Sequence, residues 1–161
     1  MNVKNIAIRR ALDTDLKEIC TLLDQVNLVH HLGRPDLFKK ARKYSDEEII
    51  NILHDDKKAV FVACDESDKA VGYAFCDLIE HKDEQMLADI KTIYIDDLCV
   101  NENCRGQHIG KSIYEYVTAY AKSIGCHNIT LNVWALNPAA CAFYNSLGMK
   151  VQKYGMETLL D

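Results

Sequence analysis

The sequence predicts an α/β protein, α+β in order and αβα-layered: a mixed, mostly antiparallel central sheet of about six or seven strands with helices on both faces. Three observations carry that expectation. The chain has 161 residues, 48% hydrophobic and 27% charged, the proportions of a globular domain with one substantial core. Apolar residues alternate with polar ones in some runs and recur at helical spacing in others. The runs fall in the order β-α-α-β-β-β-α-β-α-β, so antiparallel neighbours feed a β-α-β unit. Residues 1–161 are expected to form one domain, because no linker or repeat interrupts them.

Each element has its own signal. Ile6–Arg9 alternates and reads as a strand. Asp13 or Thr14 can cap a helix with Leu16, Ile19, Leu22 or Leu23 and Val26 on one face. Asn27–Tyr44 is polar and irregular, broken by Gly33 and Pro35. Ser45 and Glu48 form a capping box for a helix through Leu53. Ala59–Cys64 and Ala70–Leu78 read as strands joined by a turn, and Ile90–Val100 as a longer strand. Gln107–Ile124 carries an apolar stripe and ends at Gly125. Asn128–Trp134 alternates, Pro138 opens a helix through Leu147, and Val151–Leu159 is expected as a last strand.

Composition excludes several classes. The net charge of −5 argues against a nucleic-acid binder, which needs a basic face. No apolar run reaches the length of a signal peptide or membrane span, so no membrane partner is expected and the location is expected to be cytoplasmic. Seven cysteines, none spaced as C-x-x-C, read as small buried hydrophobes in a reducing compartment. The histidines lack ligand spacing, so no metal is expected.

The most informative stretch joins the Ile90–Val100 strand to the following helix. Arg105-Gly106-Gln107-His108-Ile109-Gly110 sits there, followed by Lys111 and Ser112. A helix start exposes unpaired N–H groups and the positive end of the dipole. Successive N–H groups can cradle a diphosphate, with Arg105 and Lys111 adding charge. An ordinary strand-to-helix turn is the plainer alternative. Neither a P-loop nor a Rossmann fingerprint is present.

This turn resembles the Q/R-x-x-G-x-G/A signature of the GNAT (GCN5-related) N-acetyltransferases, with His108 in place of the middle glycine. The family also carries N-x-x-A-x-x-F/Y-Y-x-x-x-G-F/M. Here Asn137, Ala140, Phe143, Tyr144, Gly148 and Met149 occupy every marked position. The resemblance spans nearly the whole chain and is specific over residues 93–151. It implies acetyl-CoA as co-substrate, held by the backbone of the turn and by Asn137, Ala140, Phe143 and Tyr144. It further implies a bulged strand whose free N–H groups near Leu98, Cys99 and Val100 face the acetyl oxygen and the pantetheine arm.

Acyl transfer to an amine requires a neutral amine, an aligned carbonyl, oxyanion stabilisation and a proton for the thiolate. Tyr144 matches the family tyrosine that protonates the thiolate; the alternative is a half-buried core tyrosine. Relatives of one type carry a glutamate base where this chain has Asn132, which cannot serve as one. IYIDDLCV resembles the IYLEDFFV of spermidine/spermine-type acetyltransferases, which makes Asp96 and Asp97 candidates for the base. Adjacent strand residues point to opposite faces, so one of the two reaches the site unless a bulge reorients them. Cys99 reads as packing, with no histidine partner at an interpretable spacing.

From Asp77 to Asp97 there are seven acids, Glu84 among them, and two bases. Such a rim attracts a cationic acceptor, or is simply a solvated hairpin. His30, His31, Arg34, Asp36 and Tyr44 lie where the family selects its acceptor; they select it or only pin a loop. The sequence thus points to an N-acetyltransferase moving acetyl from acetyl-CoA directly to a primary amine, on a polyamine-like or other cationic small molecule or on a peptide or protein. A homodimer is a possible assembly. The alternative, motivated by His108 and the missing glutamate, is a non-catalytic CoA-binding or interaction module on the same fold.

Overall fold

A computed structural model describes residues 5–83, 85–86 and 88–160. Its sheet has five strands in the order β1-β2-β3-β4-β5: β1 (Ala7–Arg10), β2 (Lys58–Cys64), β3 (Ala70–His81), β4 (Ile90–Val100) and β5 (Asn128–Leu131). The first four pair antiparallel as successive neighbours; a short turn joins β2 to β3, and eight residues separate β3 from β4. β5 pairs parallel to β4 after the crossover helix α3 (Ile109–Ser123). Helices α1 (Leu16–Gly33) and α2 (Asp46–Leu53) precede β2, and α4 (Pro138–Ser146) follows β5.

The sheet divides the core into two layers. On one face α3 lays Ile109, Ile113, Val117 and Ala121 against Phe61, Ala74, Cys76, Ile93 and Ile95. On the other, α1 and α2 press Ile19, Leu22, Leu23 and Ile49 onto Val60, Val62, Tyr73 and Phe75. Each of these helices buries one stripe and leaves the rest to solvent. Gly72 lets α3 come close: a Cβ there would stand 3.0 Å from Cys99 O and 3.0 Å from Ile113 Cδ1. Ser45 caps α2 as expected, with its Oγ accepting from Glu48 N (3.2 Å) and Glu48 Oε2 accepting from Ser45 N (2.7 Å). Four of the seven cysteines, Cys64, Cys76, Cys99 and Cys104, are buried. No described helix is long and apolar enough to cross a membrane.

Four expectations need correction. Among the described residues the sheet has five strands, not six or seven. The expected last strand, Val151–Leu159, is an exposed segment without regular structure. Alternation makes a strand only where an edge is aligned to receive it, and here Glu157 is drawn instead to Arg34 at the end of α1, Oε1 to Nη1 2.5 Å. β5 stops at Leu131 rather than Trp134, with the Asn132 amide donating to the Tyr94 hydroxyl (3.1 Å) instead of continuing a ladder. Conversely, α1 runs on through His30 and His31 to Gly33, so the break falls at the glycine and not at the onset of polarity.

Candidate active site

The site begins where two paired strands part. β4 and β5 pair only from Thr92↔Asn128 to Ile95↔Leu131, yet β4 continues to Val100. Residues 96–100 therefore have a sheet neighbour on the β3 side alone. Asn101 N–H donates across to Val71 O (2.8 Å), so strand alternation turns Asp97 and Cys99 N–H toward β3 and leaves those of Leu98 and Val100 toward the gap. The Val100 carbonyl points the same way and accepts from Arg105 Nε (3.2 Å). Cys99 faces the opposite layer: it is buried, its thiol donates to Leu22 O (3.6 Å), and burial pushes its pKa up to about 12. That is a packing cysteine, not a nucleophile.

The expected bulge lies at Asp96. Phe75 pairs with Asp97 while Cys76 pairs with Ile95, which leaves Asp96 opposite no residue. The extra residue shifts the alternation by one. Ile93 and Ile95 face α3, whereas Asp97 and Cys99 face α1 and α2. Both acids thereby reach one side. Asp96 Oδ2 accepts from the Tyr44 hydroxyl (2.5 Å) and from Lys43 Nζ (2.7 Å). Asp97 Oδ2 accepts from the Tyr73 hydroxyl (2.8 Å), and Tyr73 is itself wholly buried. Burial raises the Asp97 pKa above the ordinary carboxylate value, opposed by the Tyr73 hydrogen bond and the Lys43 charge.

Below the gap lies the turn. Gly106 (φ 76°) and His108 (φ 60°) both adopt the left-handed conformation, so consecutive backbone N–H groups curl into a concave nest. His108 thus holds the backbone shape for which a glycine is the usual solution; histidine is among the side chains that tolerate it. It stands at the N-cap of α3 and makes no capping side-chain bond, whereas α2 is capped by Ser45 and α4 by Asn137. The first α3 bond is Ser112 N–H to His108 O (3.0 Å), so Ile109, Gly110 and Lys111 are the helix's orphan donors. Ile109 anchors the turn in the core. Lys111 is 3.8 Å from Glu115 on the exposed side. Gly110 has a packing reason: a Cβ there would meet Phe143 Cζ at 3.2 Å, so its bareness seats α4 against α3.

α4 supplies the far wall. Pro138 stands in its first turn and Asn137 Oδ1 caps it by accepting from Ala140 N–H (3.1 Å). Asn137 and Ala140 therefore build the helix that carries Phe143 and Tyr144, whose rings lie 5.1 Å apart. Burial, and after it the charge of Asp97, lifts the Tyr144 pKa well above the usual phenol range. The phenol keeps its proton at any physiological pH.

The acceptor-side residues separate into two groups. Tyr44 reaches Asp96 and stacks on Phe75 (5.7 Å). Arg34 instead bonds Asp36 and Glu157, and His31 Nδ1 lies 2.7 Å from Phe38 O, which pins the segment. His30 stacks on Phe38, and Phe38 meets Trp134 edge-on, each at 5.1 Å. The acidic rim is largely spent on local pairs: Asp77 with Lys58, Glu80 with Lys82 and Lys91, and Asp89 Oδ1 with Asp83 N–H. Glu84 lies outside the described residues. Among the described acids of that run, Asp96 and Asp97 lie on the part of β4 that opens from β5. Sequence reasoning missed Lys43 and Tyr73, the partners of Asp96 and Asp97. Tyr73 sits in an apolar strand and Lys43 in a polar loop, and neither pattern signals a site.

This arrangement is an α/β fold in which one strand pair opens beside a left-handed turn. The Acetyltransferase (GNAT) family pattern matches residues 26–149, and the chain belongs to that family of acetyl-CoA-dependent N-acetyltransferases. It is 25% identical over 124 residues, 77% of this chain and 73% of the other, to glucosamine 6-phosphate N-acetyltransferase of Arabidopsis thaliana. It is 26% identical over 92% of its length to an uncharacterized N-acetyltransferase of Methanocaldococcus jannaschii, of which it spans 62%. The crystal structure of a mutant BH1408 protein from Bacillus halodurans superimposes with a TM-score of 0.92 at 35% identity, covering 96% of this chain and 99% of that one.

Proposed function

We propose that this acetyltransferase moves the acetyl group directly to a primary amine carried by a cationic small molecule or by a peptide or protein side chain. The observation that carries the reading is the bulge at Asp96, which brings two carboxylates to one side of the strand that opens. An alkylammonium is mostly charged at neutral pH, so the site must hold a cation and remove a proton from it. Asp96, with Tyr44 alongside, is suited to the holding. Asp97 is suited to the removal, because its raised pKa brings a carboxylate closer to the amine it must deprotonate.

The residues present fit acetyl-CoA as co-substrate. The left-handed pair Gly106 and His108, the orphan N–H groups of Ile109, Gly110 and Lys111, and the cations of Arg105 and Lys111 suit a diphosphate. Gln107 and Ser112 flank that cradle. The unpaired N–H groups of Leu98 and Val100 suit the carbonyls of the arm and the acyl group, with Cys99 packed behind them. Tyr144 offers its proton to the departing thiolate. Of the two grounds for a non-catalytic alternative, His108 speaks less for it because it takes the glycine conformation, and in this reading Asp97 stands in for the missing glutamate. The glucosamine 6-phosphate of the plant relative's name is a less suitable acceptor, since Asp96 and Asp97 would repel a phosphate held beside them.

The test is an amine panel (polyamines, aminoglycosides, lysine peptides, glucosamine 6-phosphate) incubated with acetyl-CoA while free thiol is followed. Cationic amines should turn over fastest. Thermal stabilisation by CoA with no thiol release on any amine would overturn the reading.

A further inference from the structure

We propose that Lys43 is itself an acetyl acceptor, a lysine of the protein's own loop seated where the external amine is acetylated. The inference rests on the acceptor site of the preceding subsection. Lys43 Nζ is 2.7 Å from Asp96 Oδ2 and 5.2 Å from the centre of the Tyr44 ring. An ammonium held by a carboxylate and an aromatic face is what that site would offer an alkylamine. Other lysines pair with other acids: Lys58 with Asp77, Lys91 with Glu80, Lys111 with Glu115.

The geometry also allows movement. Lys43 lies in the irregular stretch between α1 and α2, and its side chain is 39% exposed. A flexible stem on such a segment can follow the acyl group without disturbing the core. The Asp97 carboxyl feels the Lys43 charge, and the Tyr144 phenol feels Asp97, so the three groups share one electrostatic neighbourhood.

The step balances without further reagents. The Lys43 ammonium, held by Asp96, gives one proton to Asp97, which passes it to water. Its nitrogen then bonds to the thioester carbonyl carbon of acetyl-CoA and the carbon–sulfur bond breaks. The thiolate takes the Tyr144 proton, and the proton shed by the acylated nitrogen restores the phenol. The products are Nε-acetyl-Lys43, CoA thiol and one proton. Acetylation removes the charge that pairs with Asp96, so the modified protein presents to an external ammonium a carboxylate held by the Tyr44 hydroxyl.

The experiment incubates the full chain with acetyl-CoA and no added amine, then maps acetylated peptides over time. The inference expects one acetyl group on Lys43, gained at least about tenfold faster than on exposed Lys57. The rate should not depend on protein concentration. It should collapse in Tyr144→Phe, and Lys43→Arg should gain no acetyl group at the corresponding peptide. Acetylation of Lys43 no faster than of Lys57, a rate that scales with protein concentration, or an unchanged rate in Tyr144→Phe each overturns it. Thiol release when an external amine is then added to the same samples, with Lys43 still unmodified, overturns this inference alone. Absence of both CoA stabilisation and turnover on every amine overturns it together with the reading beneath it.

Discussion

Replacing Asp97 by asparagine should make the protein at least as stable and far less active. The carboxylate is buried against Tyr73, whose hydroxyl donates to it at 2.8 Å. A hydrogen bond to a charged group contributes about 1.5–3 kcal/mol and a neutral one about 0.5–1.5, so Asp97→Asn loses roughly 1 kcal/mol from that contact. The raised pKa shows that burial disfavours the charge by more than its partners recover, and asparagine removes that cost. The sign follows from linkage. A carboxyl whose folded pKa lies above its unfolded value near 3.9 contributes fully below that value, and the contribution disappears as pH rises through the folded pKa. Denaturant titrations should therefore show wild type losing stability with pH across that window, and Asp97→Asn keeping it. If Asp97 is the base, the same variant loses about 10²–10⁴ in kcat/KM, or roughly 3–5 kcal/mol, together with the ascending limb of the pH–rate profile. A variant less stable than wild type at pH 8, or one retaining activity within tenfold, refutes the reasoning.

Tyr144→Phe should lower kcat about 10²-fold or more while leaving the CoA-induced thermal shift intact, since the ring packing against Phe143 survives; steady-state kinetics and thermal melts check both. His108→Gly should gain about 0.5–1 kcal/mol, because the left-handed conformation costs a side chain roughly 1–2 kcal/mol and glycine's added freedom returns only part of that; urea midpoints measure it, and a loss would mean the histidine ring makes a contact that matters. Gly72→Ala should cost about 1–3 kcal/mol, as its Cβ would stand 3.0 Å from a backbone carbonyl that cannot move aside. The melting temperature should fall accordingly.

Most of the sheet was legible because its strands carry their own pattern. β4 was read at its observed bounds, and α2 at its cap, since both signals are local. The tail was not legible, for whether Val151–Leu159 pairs depends on an edge, and an ion pair to Arg34 competes with it. The site divides along the same line. Arg105–Gly110 and Asn137–Met149 were legible because backbone turns and helix caps are written in consecutive residues. The acids were legible only as a pair, because a one-residue bulge decides which face they share.

That bulge is also the step that links fold to chemistry. Without it Asp97 would follow Ile93 and Ile95 onto the α3 face, beneath a wholly apolar layer. A carboxylate there would have no partner and would cost several kcal/mol to bury. With it, Asp97 meets Tyr73 and Asp96 meets Tyr44, and in the same shift the side chains of Leu98 and Val100 return to the α3 layer. Restoring the alternation by deleting Asp96 should therefore cost both stability and turnover, whereas Asp96→Asn should spare the fold. The difference between those two variants separates the backbone's contribution from that of the charge.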